Sequence, residues 1–277
     1  MPEPPHFRRL MVIWIAVSVV ATPLVVLLAV PGLPPGNASS EASGQVVDNT
    51  VLFGILTPIA ALIVVYFAYA LIAFRQRGPE PEEGVAIRGD NRVQLAWIVA
   101  TAAIVLFSAV YGTVRLFSDS GAGGGQGSNP IAKPASADPL QVQVIAQQWA
   151  FTYRFPSFGG VETPHLELPV GQDVEFHVTS LDAIHSFWVH DLGVKADANP
   201  GVDNVAYARP TETGSFDLRC AELCGLFHGH MFDTMKVVSG SQFTAWIHGQ
   251  QREFAPATHK LSPYKPQYNP APHRRAG

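Results

Sequence analysis

Long uncharged apolar runs open the chain, and short runs of alternating polarity follow them. Leu10 to Val30 holds 21 residues without a charge, behind Arg8 and Arg9. As a helix rising about 1.5 Å per residue it would span about 31 Å, close to the hydrocarbon thickness of a bilayer. A basic flank before an apolar run also describes an export signal. The run is longer than a usual signal core, no clean A-x-A site follows it, and a membrane helix tolerates its Pro23. An additional N-terminal span and a cleaved signal both stay open. Val51 to Phe74, with 24 residues, ends at Arg75 and Arg77, and Leu95 to Phe117, with 23, meets its first charge at Arg115. These lengths exceed an ordinary core helix and predict a transmembrane hairpin.

Basic residues orient the spans, because cytoplasmic loops carry the excess of Lys and Arg. Arg8 and Arg9 lie inside, residues 31–50 contain no Lys or Arg and lie outside, and Arg75, Arg77, Arg88 and Arg92 hold the next loop inside. Everything from Ser118 onward is then extracytoplasmic. Ser118 to Asp138 is dominated by Gly, Ser, Pro and Ala and reads as a linker. Beyond it Leu140, Val142 and Val144, then Val174, Phe176 and Val178, then Phe216 and Leu218 alternate with polar residues. With turn signals at Gly159-Gly160, Pro169 to Gly171 and Pro200-Gly201, this period of two predicts antiparallel strands in a sandwich or barrel. The polar positions of those strands, His177 among them, are expected to be exposed. The predicted organisation is 1–50 (signal or extra span plus external segment), 51–117 (hairpin), 118–138 (linker), 139–250 (β domain) and 251–277 (a Pro-rich, mostly extended tail).

Composition agrees: 47% of residues are hydrophobic and only 14% charged, with a net charge of −4. That charge does not point to nucleic acid. Residues 139–250 hold 12 acidic and 5 basic residues, a net −7 that would steer a basic partner. The chain has no C-x-x-C-H, so it carries no covalently attached c-type haem by that motif.

The chemistry is concentrated in C-A-E-L-C-G-L-F-H-G-H-M, residues 220–231. Cys220, Cys224, His228 and Met231 offer two thiolates, an imidazole and a thioether, and these are the only two cysteines. Sulfur donors with imidazole select copper, zinc or iron–sulfur, and the thioether favours copper. The competing reading is a disulfide, which an exported domain permits. Closing so short a loop would contribute only about 2 kcal/mol and would leave His228 and Met231 without a role. His185, in D-A-I-H-S-F-W-V, is a further candidate ligand.

H-S-F-W with C-x-E-x-C-x-x-x-H-x-x-M, behind two hydrophobic spans and a Q-W-x-x-x-Y stretch, resembles subunit II of cytochrome c oxidase over roughly Val51 to Gln250. The resemblance implies membrane helices followed by a cupredoxin-like Greek-key β-barrel, with a binuclear copper centre, CuA, bridged by Cys220 and Cys224. It implies that His185 and His228 each bind one copper, that Met231 is a weak ligand to the first, and that the Glu222 carbonyl is a weak ligand to the second. It gives the Glu222 carboxylate to a Mg²⁺ or Mn²⁺ shared with subunit I. Trp149 matches the tryptophan through which electrons arrive from cytochrome c; the competing reading packs Trp149, Phe151 and Tyr153 as one alternating core face, which alternation supports for Phe151 and Tyr153. Phe187, Trp188, Leu223, Leu226 and Phe227 are expected to form an apolar shell that excludes water from the ligands. His190 and His230 have no place in the motif.

The resemblance further implies subunit I and other oxidase subunits as partners in the lipid bilayer, and haem in subunit I as the acceptor that feeds oxygen reduction there. The N-terminal extension and long linker point to a bacterial plasma membrane. One departure concerns the third span, where relatives carry a Glu at the mouth of a proton path and this chain has Gln94. Asp90, one turn earlier, or an acid of another subunit is the candidate substitute; the other reading is that water alone serves the entrance and Gln94 is a polar helix-end residue. A membrane-anchored copper-binding or storage protein outside electron transfer is the alternative reading.

Overall fold

The computed structural model describes residues 5–75, 78, 89–118 and 137–258. Most of the expected linker, and residues 259–277 of the expected tail, lie outside the described residues. The chain forms two compact units, Met1–Gly32 with Asp48–Arg115, and Leu33–Val47 with Leu116–Gly277.

The first unit is helical. α1 (Pro5–Leu24) runs on through a π turn and a 3-10 turn to Gly32, α2 spans Ser40–Ala73 and α3 spans Asn91–Ser118. All three are long and apolar enough to cross a membrane. Arg115, the lone charge inside the third apolar run, has its partner on α2: Asp48 Oδ1 accepts from Arg115 Nε and from the Tyr111 hydroxyl, each at 2.6 Å. Pairing of this kind lets ionisable groups sit at the end of an apolar span. At the other end of α3, Asp90 accepts the Arg92 backbone N–H at 2.7 Å and so caps the helix.

α2 starts 11 residues before the apolar run that predicted it. Ser39 is the cause. Its hydroxyl accepts the Ala42 N–H at 3.0 Å, an N-cap that lets the polar stretch Ser40 to Thr50 be helical. The segment Leu33–Val47 belongs to the second unit, where hydrogen bonds stitch it down. Ala38 N–H donates to the Asp191 carbonyl (2.9 Å), the Ser39 hydroxyl to the Leu192 carbonyl (2.6 Å), and Gln45 Nε2 to the Gly193 carbonyl (2.8 Å). Gly193 has φ +63, and a Cβ there would sit 2.9 Å from the Ala42 backbone, so only glycine allows the approach.

The second unit is all-β with one helix. Its strands are β1 (Leu140–Gln147), β2 (Ala150–Phe155), β3 (Val161–Thr163), β4 (Glu167–Pro169), β5 (Val174–Ser180), β6 (His185–Val189), β7 (Val194–Ala198), β8 (Asn204–Ala208), β9 (Gly214–Cys220) and β10 (Phe232–Val238). They form two five-stranded sheets, ordered β3-β2-β1-β5-β8 and β4-β10-β9-β6-β7. Most pairs are antiparallel as expected, but β1 pairs with β5, and β10 with β4, in parallel. Parallel neighbours need a long connection. Here β2 to β4 supply it for the first pair, a distance in sequence that alternation alone does not reveal. Val142, Val144, Tyr153, Phe155, Phe176, Phe187, Leu218 and Met235 are fully buried between the sheets. Each large side chain so buried contributes about 1.5–3 kcal/mol. The two-sheet sandwich with mixed pairing is a cupredoxin-like domain.

α4 (Gly240–Thr258) reaches into the segment expected to be an extended tail. Its start is a reciprocal cap: the Ser239 hydroxyl accepts the Gln242 N–H at 3.4 Å, and Gln242 Oε1 accepts the Ser239 N–H at 3.1 Å. Phe243 and Ile247 are buried against the sandwich, with the Phe243 and Trp246 rings set against Phe155. Apolar positions at helical spacing outweigh the polar composition of residues 251–254.

His177 corrects another expectation, since it lies on the polar face of β5 yet is only 3% exposed. Alternation assigns a face but not what covers it. Asp203, from the β7–β8 connection, lies 2.9 Å from Nδ1, and Glu175 Oε1 lies 2.9 Å from Nε2. Burial disfavours the charged ring, but hydrogen bonds to the two carboxylates outweigh it and raise the pKa from 6.5 to about 9. A raised pKa means that the folded state holds the proton more tightly than the unfolded chain. The stabilisation is then complete below pH 6.5 and disappears as pH rises through about 9. Denaturant unfolding of the full chain between those limits should show this loss, and the loss should shrink in His177→Gln.

Candidate metal centre

Two strand ends and one loop build the centre. β9 ends at Cys220, which faces Phe187 of β6 in the ladder, and β6 begins at His185. The chain then makes an excursion and returns at Met231, just before β10. Cys220 N–H donates to the Met231 carbonyl at 3.0 Å, and Ala221 N–H to the Ser186 carbonyl at 3.0 Å. These rungs pin both ends of the excursion, so its side chains converge. Inside it, Gly225 has φ +118, and a 3-10 turn at His228–His230 brings the imidazole of His228 inward.

The donor atoms meet as follows. The two sulfurs of Cys220 and Cys224 are 3.8 Å apart and both thiols are free, so the disulfide reading does not hold. His185 Nδ1 lies 3.9 Å from Cys220 Sγ, and His228 Nδ1 lies 3.5 Å from Cys224 Sγ. Met231 Sδ is 3.8 Å from Cys224 Sγ, and the Cys220 thiol points at the Glu222 carbonyl, 3.2 Å away. Bonds of about 2.0–2.3 Å from a soft metal to nitrogen and sulfur give tetrahedral edges of roughly 3.3–3.8 Å. The donor spacing therefore fits a metal shell with little movement. His185, Cys220 and Cys224 also converge as a metal-binding cluster by proximity alone. Three sulfurs, two imidazoles and a carbonyl form a set suited to copper.

Asp182 holds the most buried ligand. Its Oδ1 accepts His185 Nε2 at 2.9 Å, which leaves Nδ1 facing the sulfurs as a lone-pair donor. The same carboxylate accepts the backbone N–H groups of Gln148 and Ala183, at 2.7 and 2.6 Å. Burial works against the Asp182 charge, but these hydrogen bonds outweigh it and hold its pKa below the ordinary value. Burial likewise disfavours protonated His185, and its bonds to Cys220 and Asp182 reverse that and raise its pKa.

The two thiols are pushed apart in acidity. Burial raises both. For Cys220 the hydrogen bond with His185 and backbone bonds at Ser186 and Glu222 prevail, bringing it to about 6. Cys224, buried and beside the hydrogen-bonded, charged Cys220 sulfur, is raised to about 11. Two adjacent sulfurs cannot both carry charge cheaply until a cation joins them.

The motif's other residues divide. Phe187 is buried and Trp188 half-buried, but Leu223 is 78% exposed, Leu226 84% and Phe227 47%. The expected apolar shell is thus closed on the sandwich side only. The loop aims its donors inward, and these alkyl and aryl groups point out. Phe151 and Tyr153 lie in the core, while half-buried Trp149 stacks edge-on with Phe227 at 4.8 Å and donates Nε1–H to the Cys224 carbonyl at 3.3 Å. The Glu222 side chain is exposed. His190 pairs with Asp191 at 3.1 Å and His230 lies against Phe227, so neither joins the donors. Asp182 and Gln148 were missed in the sequence. Their only signal is position, three residues before His185 and one before Trp149, and no metal-ligand pattern uses it.

In the copper-free full chain, thiolate ultraviolet absorbance should rise in two separated steps, the first near pH 6 and the second near pH 11. A single step in the ordinary thiol range would show that the sulfurs do not interact.

Comparison with known proteins reaches beyond the metal loop to most of the chain. The family described as cytochrome c oxidase subunit II, periplasmic domain, matches residues 161–238. Cytochrome c oxidase subunit 2 of Thermostichus vulcanus is 29% identical over 260 residues, covering 78% of this chain and 77% of that protein. The Bacillus subtilis protein of the same name is 28% identical over 246 residues, covering 80% and 67%. The periplasmic domain of subunit II of cytochrome oxidase from Bradyrhizobium japonicum aligns over 44% of this chain and 98% of its own, at 28% identity and a TM-score of 0.41. In its apolar helices, its β domain and these sequence matches, the chain is similar to cytochrome c oxidase subunit II.

Proposed function

We propose that the chain is the electron-accepting subunit of a haem–copper oxidase and that its donor set holds a binuclear CuA centre. The observation that carries the reading is the convergence of Cys220, Cys224, His185, His228, Met231 and the Glu222 carbonyl at spacings of 3.2–3.9 Å. A copper pair bound there would supply one-electron redox chemistry at soft ligands that need to move little. Cys220, Cys224, His185 and His228 would hold the pair, with Met231 and the Glu222 carbonyl as weaker donors. Asp182 keeps the His185 lone pair aimed inward, and Phe187 and the core behind it exclude water from that side. The exposed Glu222 carboxylate is free to reach a Mg²⁺ or Mn²⁺ at the boundary with subunit I.

Trp149 touches the metal loop through its indole N–H and is half-exposed, so it can receive electrons from a docked cytochrome c. The net −7 of residues 139–250 would speed encounter with a basic cytochrome and make the rate fall with salt. Haem in subunit I is the proposed acceptor, and oxygen reduction belongs to that partner. The three apolar helices and the charge pattern of their loops support a bacterial plasma-membrane location, with the copper domain outside.

Full-length protein loaded with copper in detergent should hold two coppers per chain and show a delocalised mixed-valence paramagnetic signal when oxidised. Cys220→Ser and Cys224→Ser should each abolish that signal, whereas Met231→Leu should keep the copper and shift its potential. One labile copper with an ordinary mononuclear spectrum would instead establish a binding or storage protein. Trp149→Ala should leave the copper spectrum intact and slow stopped-flow reduction by cytochrome c. An unchanged rate would reduce Trp149 to a packing role.

A further inference from the structure

The turn between β1 and β2 makes contacts that the proposed site does not yet explain. Gln148 and Trp149 are neighbours in sequence, yet both side chains donate to one acceptor. Gln148 Nε2 lies 2.8 Å, and Trp149 Nε1 3.3 Å, from the Cys224 carbonyl oxygen. A carbonyl has two lone pairs, and here adjacent side chains take both. In a regular strand, neighbours point to opposite faces. Their shared direction is a property of this turn.

Gly225 makes the approach possible. A Cβ at that position would sit 2.9 Å from Gln148 Nε2, 3.4 Å from Trp149 Nε1 and 3.5 Å from Trp149 Cζ2. Its φ of +118 independently disfavours any side chain. The backbone of Gln148 is fixed from the other side, because its N–H donates to Asp182 Oδ2 while Asp182 Oδ1 holds His185. Gln148 thus bridges the His185 arm and the Cys224 arm of the donor set, and Phe227 packs edge-on against the indole.

We infer that Gln148 and Gly225 are positioning residues that set the Trp149 indole against the Cys224 backbone. The inference rests on the reading of Trp149 as the point where electrons arrive. Gln148 acts by hydrogen bonding and Gly225 by leaving room. Electron transfer falls off steeply with separation, so a displaced indole would slow it even with every copper ligand in place. Gln148 is exposed and absent from the core, so its substitution should not unfold the domain.

The test uses the full chain in detergent with two variants. Gln148→Glu keeps the side-chain size but loses the N–H donor near neutral pH, and Gly225→Ala fills the space. The first readout needs no copper. In protein labelled with ¹⁵N at tryptophan, the Trp149 indole resonance, assigned by its loss in Trp149→Phe, should shift in both variants. Its solvent exchange should quicken about threefold to tenfold, the worth of one net hydrogen bond. Acidification should reverse the change in Gln148→Glu alone, as the protonated carboxyl regains a donor. The second readout is stopped-flow reduction by cytochrome c after copper loading, expected to slow severalfold with copper content and spectrum unchanged.

An indole signal that stays put in Gln148→Glu overturns the inference, as does a moved indole with an unchanged reduction rate. Should Gly225→Ala fail to fold, Gln148→Glu decides alone. If wild-type protein takes up no redox-active copper pair, the functional reading fails first. The copper-free resonance still decides whether Gln148 and Gly225 hold the indole.

Discussion

Two buried sulfurs held 3.8 Å apart are the constraint on which the rest of the site depends. Both cannot be anionic at that distance in a partly desolvated pocket without a compensating cation. The surrounding structure resolves the conflict by splitting their acidity, lowering Cys220 through its hydrogen bonds and leaving Cys224 raised beside it. Such a pair avoids the charge problem when empty and is relieved of it when a soft cation binds. A site of this kind must be held open by something other than its metal. The closed rungs Cys220 to Met231 and Ala221 to Ser186 do that, because they belong to sheets stabilised by apolar burial elsewhere.

The same rungs explain why the loop is apolar on the outside. Its donors face inward, so the residues between them have no direction left except solvent. Leu223, Leu226 and Phe227 would ordinarily be poor choices for such positions. Under the proposed function, an exposed apolar rim around a metal loop is what a protein partner would cover.

Much of this architecture was legible in the sequence. The spacing of Cys220, Cys224, His228 and Met231 marks a soft-metal loop because ligand chemistry allows few residue types. The spans are legible because a bilayer sets a length. Period two marks the strands and their core face, with Val142, Phe176 and Leu218 placed correctly. What escaped depends on contacts remote in sequence. His177 looks exposed until Asp203 folds over it. Asp182 and Gln148 are ordinary polar residues until the turn puts them beside His185 and Cys224. The parallel pairing of β1 with β5 and the early start of α2 were hidden for similar reasons. The first is topology, and the second is a single serine cap whose consequence lies mostly in the tertiary packing around Ala42. α4 was hidden by composition, because its buried face is carried by few residues.

The segment Leu33–Val47 has an implication for how the second unit comes to exist. It precedes α3 and most of α2 in the chain, yet it saturates the carbonyls of Asp191, Leu192 and Gly193 and buries Ala38 and Ala42. These partners are about 150 residues apart, so joining them costs loop-closure entropy that only late, cooperative packing can offset. With the second unit on the outer side of a membrane, as proposed, the segment would cross well before its partners in the last third of the chain. A fragment cut after the apolar helices would retain every donor of the candidate metal centre but would leave those carbonyls to water and a groove where the Ala42 helix had lain. Fragment and whole protein can therefore share a spectrum and still differ in the ease with which the sandwich opens.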